Sequence, residues 1–88
     1  YLLTEKMKFL SFKTIRGKIA HFLLTQPLND KQEIYLDRTQ QELADLFGVT
    51  RPSLARAFGD LDREGIIRTD RRRVVLLEKD KLVEMIRH

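Results

Sequence analysis

The sequence predicts a mostly α-helical fold with a small antiparallel β-hairpin set on a three-helix core. Three observations predict it. Two short amphipathic helices, one capped at Thr39 with Leu43 to Phe47 inward and one capped at Thr50 with Leu54 to Leu61 inward, are separated by only three or four residues centred on Gly48-Val49-Thr50. An earlier amphipathic segment, Phe12 to Leu24, can lie across that pair. Two apolar runs, Ile66-Ile67-Arg68 and Val74-Val75-Leu76-Leu77, bracket the polar stretch Thr69 to Arg73. Helix pair, supporting helix and hairpin together describe a winged helix-turn-helix.

Along the chain, Ile15, Ile19, Phe22 and Leu23 recur at helical spacing within Phe12 to Leu24, and Pro27 cannot extend that helix. Ile34-Tyr35-Leu36 is a candidate short strand. Thr39-Gln40-Gln41-Glu42 has the form of a capping box, in which the threonine hydroxyl accepts from the amide three residues on and the glutamate reaches back. Gly48 ends that helix, because glycine tolerates the left-handed backbone of a tight turn. Thr50 caps the next helix and Pro52 sits in its first turn, where a missing N–H costs nothing. Gly65 closes it, and Asp80 is expected to cap a last helix from Lys81 to Arg87.

The bulk numbers narrow the class. With 88 residues, one small domain is expected. At 42% hydrophobic and 34% charged, the chain reads as soluble and globular rather than disordered. There is no cysteine, which excludes disulfides and thiolate chemistry and fits a cytoplasmic setting. No apolar run approaches the roughly 20 residues of a membrane span. The net charge of +4 favours an anionic partner, nucleic acid first and a membrane surface second. Tyr1 in the place of an initiating methionine suggests a fragment or a processed product.

Helix periodicity divides the segment from Thr50 into two faces. Leu54, Ala57, Phe58 and Leu61 form a buried stripe, while Pro52, Arg56, Gly59 and Arg63 face away from it. Arg51 and Ser53 stand at the N-terminal tip, the part of a recognition helix that meets base edges in the major groove. Arg56 can set its planar fork on guanine O6 and N7. The expected base-reading residues are therefore Arg51, Ser53 and Arg56, on a recognition helix of about Arg51 to Glu64. Thr39, Gln40 and Thr50 at the helix starts, with Arg63 and the wing arginines Arg71, Arg72 and Arg73, are the expected DNA-backbone contacts. From Arg51 to Arg73 seven arginines face four acids, which biases this surface to positive charge. His21 and His88 have no ligand cluster around them, and no catalytic set, cofactor motif or metal motif is visible.

The order and spacing of several motifs resemble the catabolite-activator (Crp/Fnr-type) regulators. Leu10-Ser11-Phe12-Lys13-Thr14-Ile15-Arg16-Gly17-Lys18-Ile19-Ala20 is similar to the family's L-S-x-K-T-x-R-x-R-[IL]-A helix. Thr39 to Asp45 followed by Gly48-Val49-Thr50-Arg51 resembles its T-R-Q-E-L-A-x-x-x-G-V-[ST]-R reader, and Leu61 to Ile67 its L-x-x-x-G-[IL]-I exit. The resemblance implies a C-terminal winged helix-turn-helix domain at residues 11–88. Residues 1–10 would be the remnant of an inter-domain, dimerising helix. It further implies a homodimer on palindromic double-stranded DNA, an effector-sensing N-terminal domain absent from this chain, and recruitment or blocking of RNA polymerase. Two positions depart from the pattern. Pro52 stands where the family has glutamate, and Ala55 where it has glycine or serine. A winged-helix protein-interaction module that never touches nucleic acid is the competing expectation.

Overall fold

The computed structural model describes residues 14–86. The expected dimer-helix remnant at 1–10, residues 11–13 and the last two residues, Arg87 and His88, lie outside the described residues. Among the described residues, four helices and three strands follow in the order α1 (Ile15–Thr25), β1 (Glu33–Tyr35), α2 (Gln40–Phe47), α3 (Arg51–Arg63), β2 (Ile67–Asp70), β3 (Arg73–Leu76) and α4 (Lys79–Met85).

α1 begins at Ile15 because Thr14 caps it, its hydroxyl accepting from the Gly17 amide at 3.0 Å. The helix ends at Thr25, with the extended Gln26 at the cap position directly before Pro27. α4 differs from expectation. It starts two residues earlier, with Glu78 at the cap position and no side-chain capping bond, and Asp80 lies inside its first turn. Asp80 still complements the positive helix end from that place, so its residue type fits although its position was misread.

One core joins all the elements. Ile19 and Leu23 of α1, Leu43 and Phe47 of α2, Leu54 and Leu61 of α3, Ile67 and Val74 of the sheet, and Leu82 of α4 are fully buried. Phe22 meets Phe47 edge to face, with ring centroids 5.7 Å apart. The expected stripe Leu54, Ala57, Phe58 and Leu61 is the inner face of α3.

The three strands form one antiparallel sheet in the order β1-β3-β2. Ile67 to Asp70 pair with Leu76 to Arg73, and Glu33 to Tyr35 pair with Val75 to Arg73 on the other side of β3. The expected two-stranded wing thus gains a third strand from about forty residues upstream. A three-residue segment carries too little alternation to announce its partner. The wing loop is also tighter than Thr69 to Arg73. Thr69, Asp70 and Arg73 are in the ladder, and the turn is Arg71-Arg72 alone. Arg71 makes this possible by adopting a φ of 57°, a left-handed conformation costly for a residue with a side chain.

Candidate nucleic-acid interface

The expected interface starts from two helix N-termini. At α2 the capping box closes in both directions: Thr39 Oγ1 accepts from the Glu42 amide at 3.1 Å, and Glu42 Oε1 accepts from the Thr39 amide at 2.8 Å. The Thr39 donors hold the Glu42 carboxyl below its ordinary value of 4.5. α2 ends at Gly48, with φ 73° and ψ 33°, and the Val49 amide donates back to the Ala44 carbonyl at 3.0 Å. Three residues then separate α2 from α3. Ala44 is fully buried, and its small side chain lets the helices approach closely at this corner. At α3, Thr50 Oγ1 accepts from the Ser53 amide at 3.3 Å and donates to Ser53 Oγ at 2.8 Å.

Three polar clamps fix α2 and α3 against the scaffold. The buried Lys18 of α1 donates from Nζ to the Phe47 carbonyl at 3.1 Å, closing the C-terminal end of α2 beside the turn. Arg16 donates through both Nη atoms to the two carboxylate oxygens of Glu64, each at 2.7 Å, which ties α1 to the end of α3. Asp62 Oδ2 accepts from the Thr69 amide at 2.8 Å and from its hydroxyl at 3.1 Å, joining α3 to the first strand of the wing. Both carboxyls are held below their ordinary values, Glu64 chiefly by the Arg16 bond and Asp62 chiefly by the Thr69 amide.

These clamps spend the acidic charge. Of the four acids between Arg51 and Arg73, Asp60 pairs with Arg63, Asp62 holds Thr69, Glu64 holds Arg16, and Asp70 lies 3.6 Å from Arg73. Among the described residues, Arg51, Arg56, Arg71 and Arg72 are exposed and have no ion pair. The net positive charge of this surface is therefore concentrated in side chains that are free to meet an anion.

The structure brings five of the ten expected site residues together. Thr39, Gln40 and Arg51 at the two helix starts and Arg71 and Arg72 at the wing turn line one concavity of about 310 Å³. Arg56 stands outside it, exposed on the outer face of α3. Ser53 is half-buried and partly committed to the Thr50 cap. Arg63 and Arg73 already hold carboxylates, Arg73 bridging Asp70 and, at 3.4 Å, Glu33 of the neighbouring strand. Sequence reasoning missed Arg38, which lines the same concavity. Its signal was its place directly before the capping threonine, which puts it beside a helix start. Among the described residues, no group of three or more His, Cys, Asp or Glu could hold a metal ion, and no helix is long and apolar enough to cross a membrane.

A capped helix, a three-residue corner, a second helix with one face buried and its arginines outward, and a hairpin folded back beside it define a winged helix-turn-helix domain. Residues 17–85 match the family of Crp-like helix-turn-helix domains, and the chain belongs to that family. A similar curated protein is the transcriptional regulator LdrP of Thermus thermophilus, 41% identical over 69 residues, covering 73% of this chain and 35% of that protein. Among solved structures, FixK2 of Bradyrhizobium japonicum superposes with a TM-score of 0.81 at 26% identity, over 93% of this chain and 43% of that one. A CRP-family transcriptional regulator of Thermus thermophilus gives 0.76 at 27% identity, over 94% and 45%. The chain spans about a third of the length of the curated relatives it matches and less than half of these structures.

Proposed function

We propose that the chain is the DNA-reading domain of a transcription regulator, with α3 entering the major groove and the wing turn lying on the flanking phosphates. The observation that carries this reading is the division of α3. Its inner face is fully engaged in the core, while Arg51 and Arg56 project outward without carboxylate partners. Arg51, Ser53 and Arg56 then meet base edges. Thr39, Gln40, Thr50, Arg63, Arg71, Arg72 and Arg73 contact the backbone, with Arg38 joining them. Arg63 and Arg73 contribute least, since each would exchange one anion for another. The two helix starts add their positive ends to the concavity beside the wing.

In this reading the whole protein is a cytoplasmic homodimer on a palindromic operator. An effector domain outside this chain controls it, and it acts on RNA polymerase by recruitment or obstruction. The LdrP relative, a transcriptional regulator about three times the length of the matched segment, supports a regulator with further chain beyond this domain. An enzymatic role finds no support in relatives that are transcription regulators.

Selection of bound sites from a random duplex pool, followed by a salt titration on the enriched sequence, tests the function. The expected result is an enriched half-site and an affinity that falls steeply with salt. Failure to bind any duplex at low salt would instead establish the protein-interaction alternative. The structure offers that alternative little: among the described residues the large exposed apolar side chains are Tyr35 and Leu77.

A further inference from the structure

The outward strip of α3 is chemically one-sided. Pro52, Ala55, Arg56 and Gly59 fall at i, i+3, i+4 and i+7, so they share the face opposite the core. Pro52, Ala55 and Arg56 are exposed. Arg56 supplies donors, as does Arg63 beside Gly59, whereas Pro52, Ala55 and Gly59 carry no polar side-chain atom. Reading the amino group of cytosine or adenine requires an outward acceptor, as from Asp, Glu, Asn or Gln. The carboxylates elsewhere on α3 are engaged, Asp60 with Arg63, Asp62 with Thr69 and Glu64 with Arg16, and one lone pair of the half-buried Ser53 Oγ accepts from Thr50. The half-buried Ser53 hydroxyl keeps its own proton and can donate it.

We infer that α3 selects its half-site by donating to guanine acceptors and by packing Pro52 and Ala55 on thymine methyl groups, and that it does not read the amino groups of cytosine or adenine. Within the major groove the thymine methyl is the one apolar feature on a base edge. The Pro52 ring and the Ala55 methyl lie about one helical turn or less from Arg56, so a guanine under Arg56 places the adjoining pairs under apolar atoms. Gly59 keeps the strip low. A Cβ there would meet Arg63 Nη1 at 3.2 Å, so a side chain at this end of the strip would first have to displace the Arg63 guanidinium.

The inference rests on the DNA-reading function above, and base analogues separate the two. The chain is used to select sites from a random duplex pool, and the enriched site is rebuilt with uracil for thymine, 7-deazaguanine for guanine, and purine for adenine, one position at a time. Uracil at one or two positions per half-site is expected to weaken binding roughly threefold to fivefold, the effect of one lost methyl contact. The 7-deaza substitution at the neighbouring guanine is expected to cost about tenfold or more. Purine, which lacks the amino group, is expected to be neutral. Ala55→Gly removes the sensitivity to uracil at the position under Ala55 and leaves that under Pro52, and Pro52→Glu, which places an acceptor at the helix start, adds a cytosine requirement to the selected pool. Uracil without effect at every position, or a purine substitution costing tenfold, overturns the inference and leaves DNA binding standing. Binding without enrichment also overturns it, whereas no binding to any duplex removes the function itself.

Discussion

In the last two turns of α3 each acidic side chain is tied down, whereas in the first two turns the charged side chains are left outward and unpaired. Asp60, Asp62 and Glu64 hold Arg63, Thr69 and Arg16 respectively. Arg51 and Arg56 hold nothing among the described residues. The difference separates anchoring from recognition along one helix. The C-terminal half is bolted to α1 and to the wing, so the N-terminal half can be offered to a ligand without losing its orientation. A recognition element must leave its hydrogen-bonding capacity unspent in the free state, and that is affordable when neighbouring turns carry the fixing contacts.

The largest expected effect breaks the free end. Arg56→Ala should weaken the selected site by roughly tenfold to a hundredfold, about 1–3 kcal/mol, while leaving random-duplex binding and Tm nearly unchanged. Equal loss on both kinds of duplex would show that Arg56 contacts phosphate. Breaking the support of the turn comes next. Lys18→Met keeps the aliphatic stem but leaves the Phe47 carbonyl without its donor, and should cost about 1–2 kcal/mol in denaturant unfolding.

Arg71→Gly sharpens the comparison from the side of the wing. Relief of the left-handed backbone should raise stability by about 1 kcal/mol, yet the lost charge should lower affinity several-fold on all sequences and reduce the salt slope by about one. If stability does not rise, the turn is not strained. Asp62→Asn weakens the link between α3 and the wing, and amide exchange at Thr69 should quicken by about tenfold while α1 keeps its protection.

Acid should give the smallest change. Glu42, Asp62 and Glu64 all have folded-state pKa values below their ordinary 4.5, 3.8 and 4.5. Their contribution to stability is therefore complete above those values and is lost as pH falls through the lowered folded values. Tm followed downward from about pH 5 should begin to fall below about pH 4, and Glu64→Gln should lower the plateau near neutrality and flatten that fall.

The hydrophobic spacing of 54, 57, 58 and 61, the capping box at Thr39, the glycine at 48 and the proline at 52 are local signals, each acting within one or two turns of chain. From them the helix pair and the outward direction of Arg56 were legible in the sequence, because helical periodicity alone assigns the faces. The wing was half legible. Its strands were found, but Thr69, Asp70 and Arg73 looked like loop because their polarity hid their pairing. The third strand was legible as a candidate at Ile34 to Leu36, but its place in the sheet was not, and neither was the early start of α4. β1 is three residues long, and its partner lies about forty residues away.

What the sequence by itself determined is each segment's preferred shape and apolar side, since backbone propensity and side-chain period operate over a few residues. What the tertiary structure alone decided is which polar groups meet: Arg16 with Glu64, Lys18 with the Phe47 carbonyl, Asp62 with Thr69, and Arg38 with Arg51 and the wing turn around one concavity. The physical reason is range. A carboxylate advertises a charge to any cation, and its partner is chosen only when the core brings distant segments within hydrogen-bond reach.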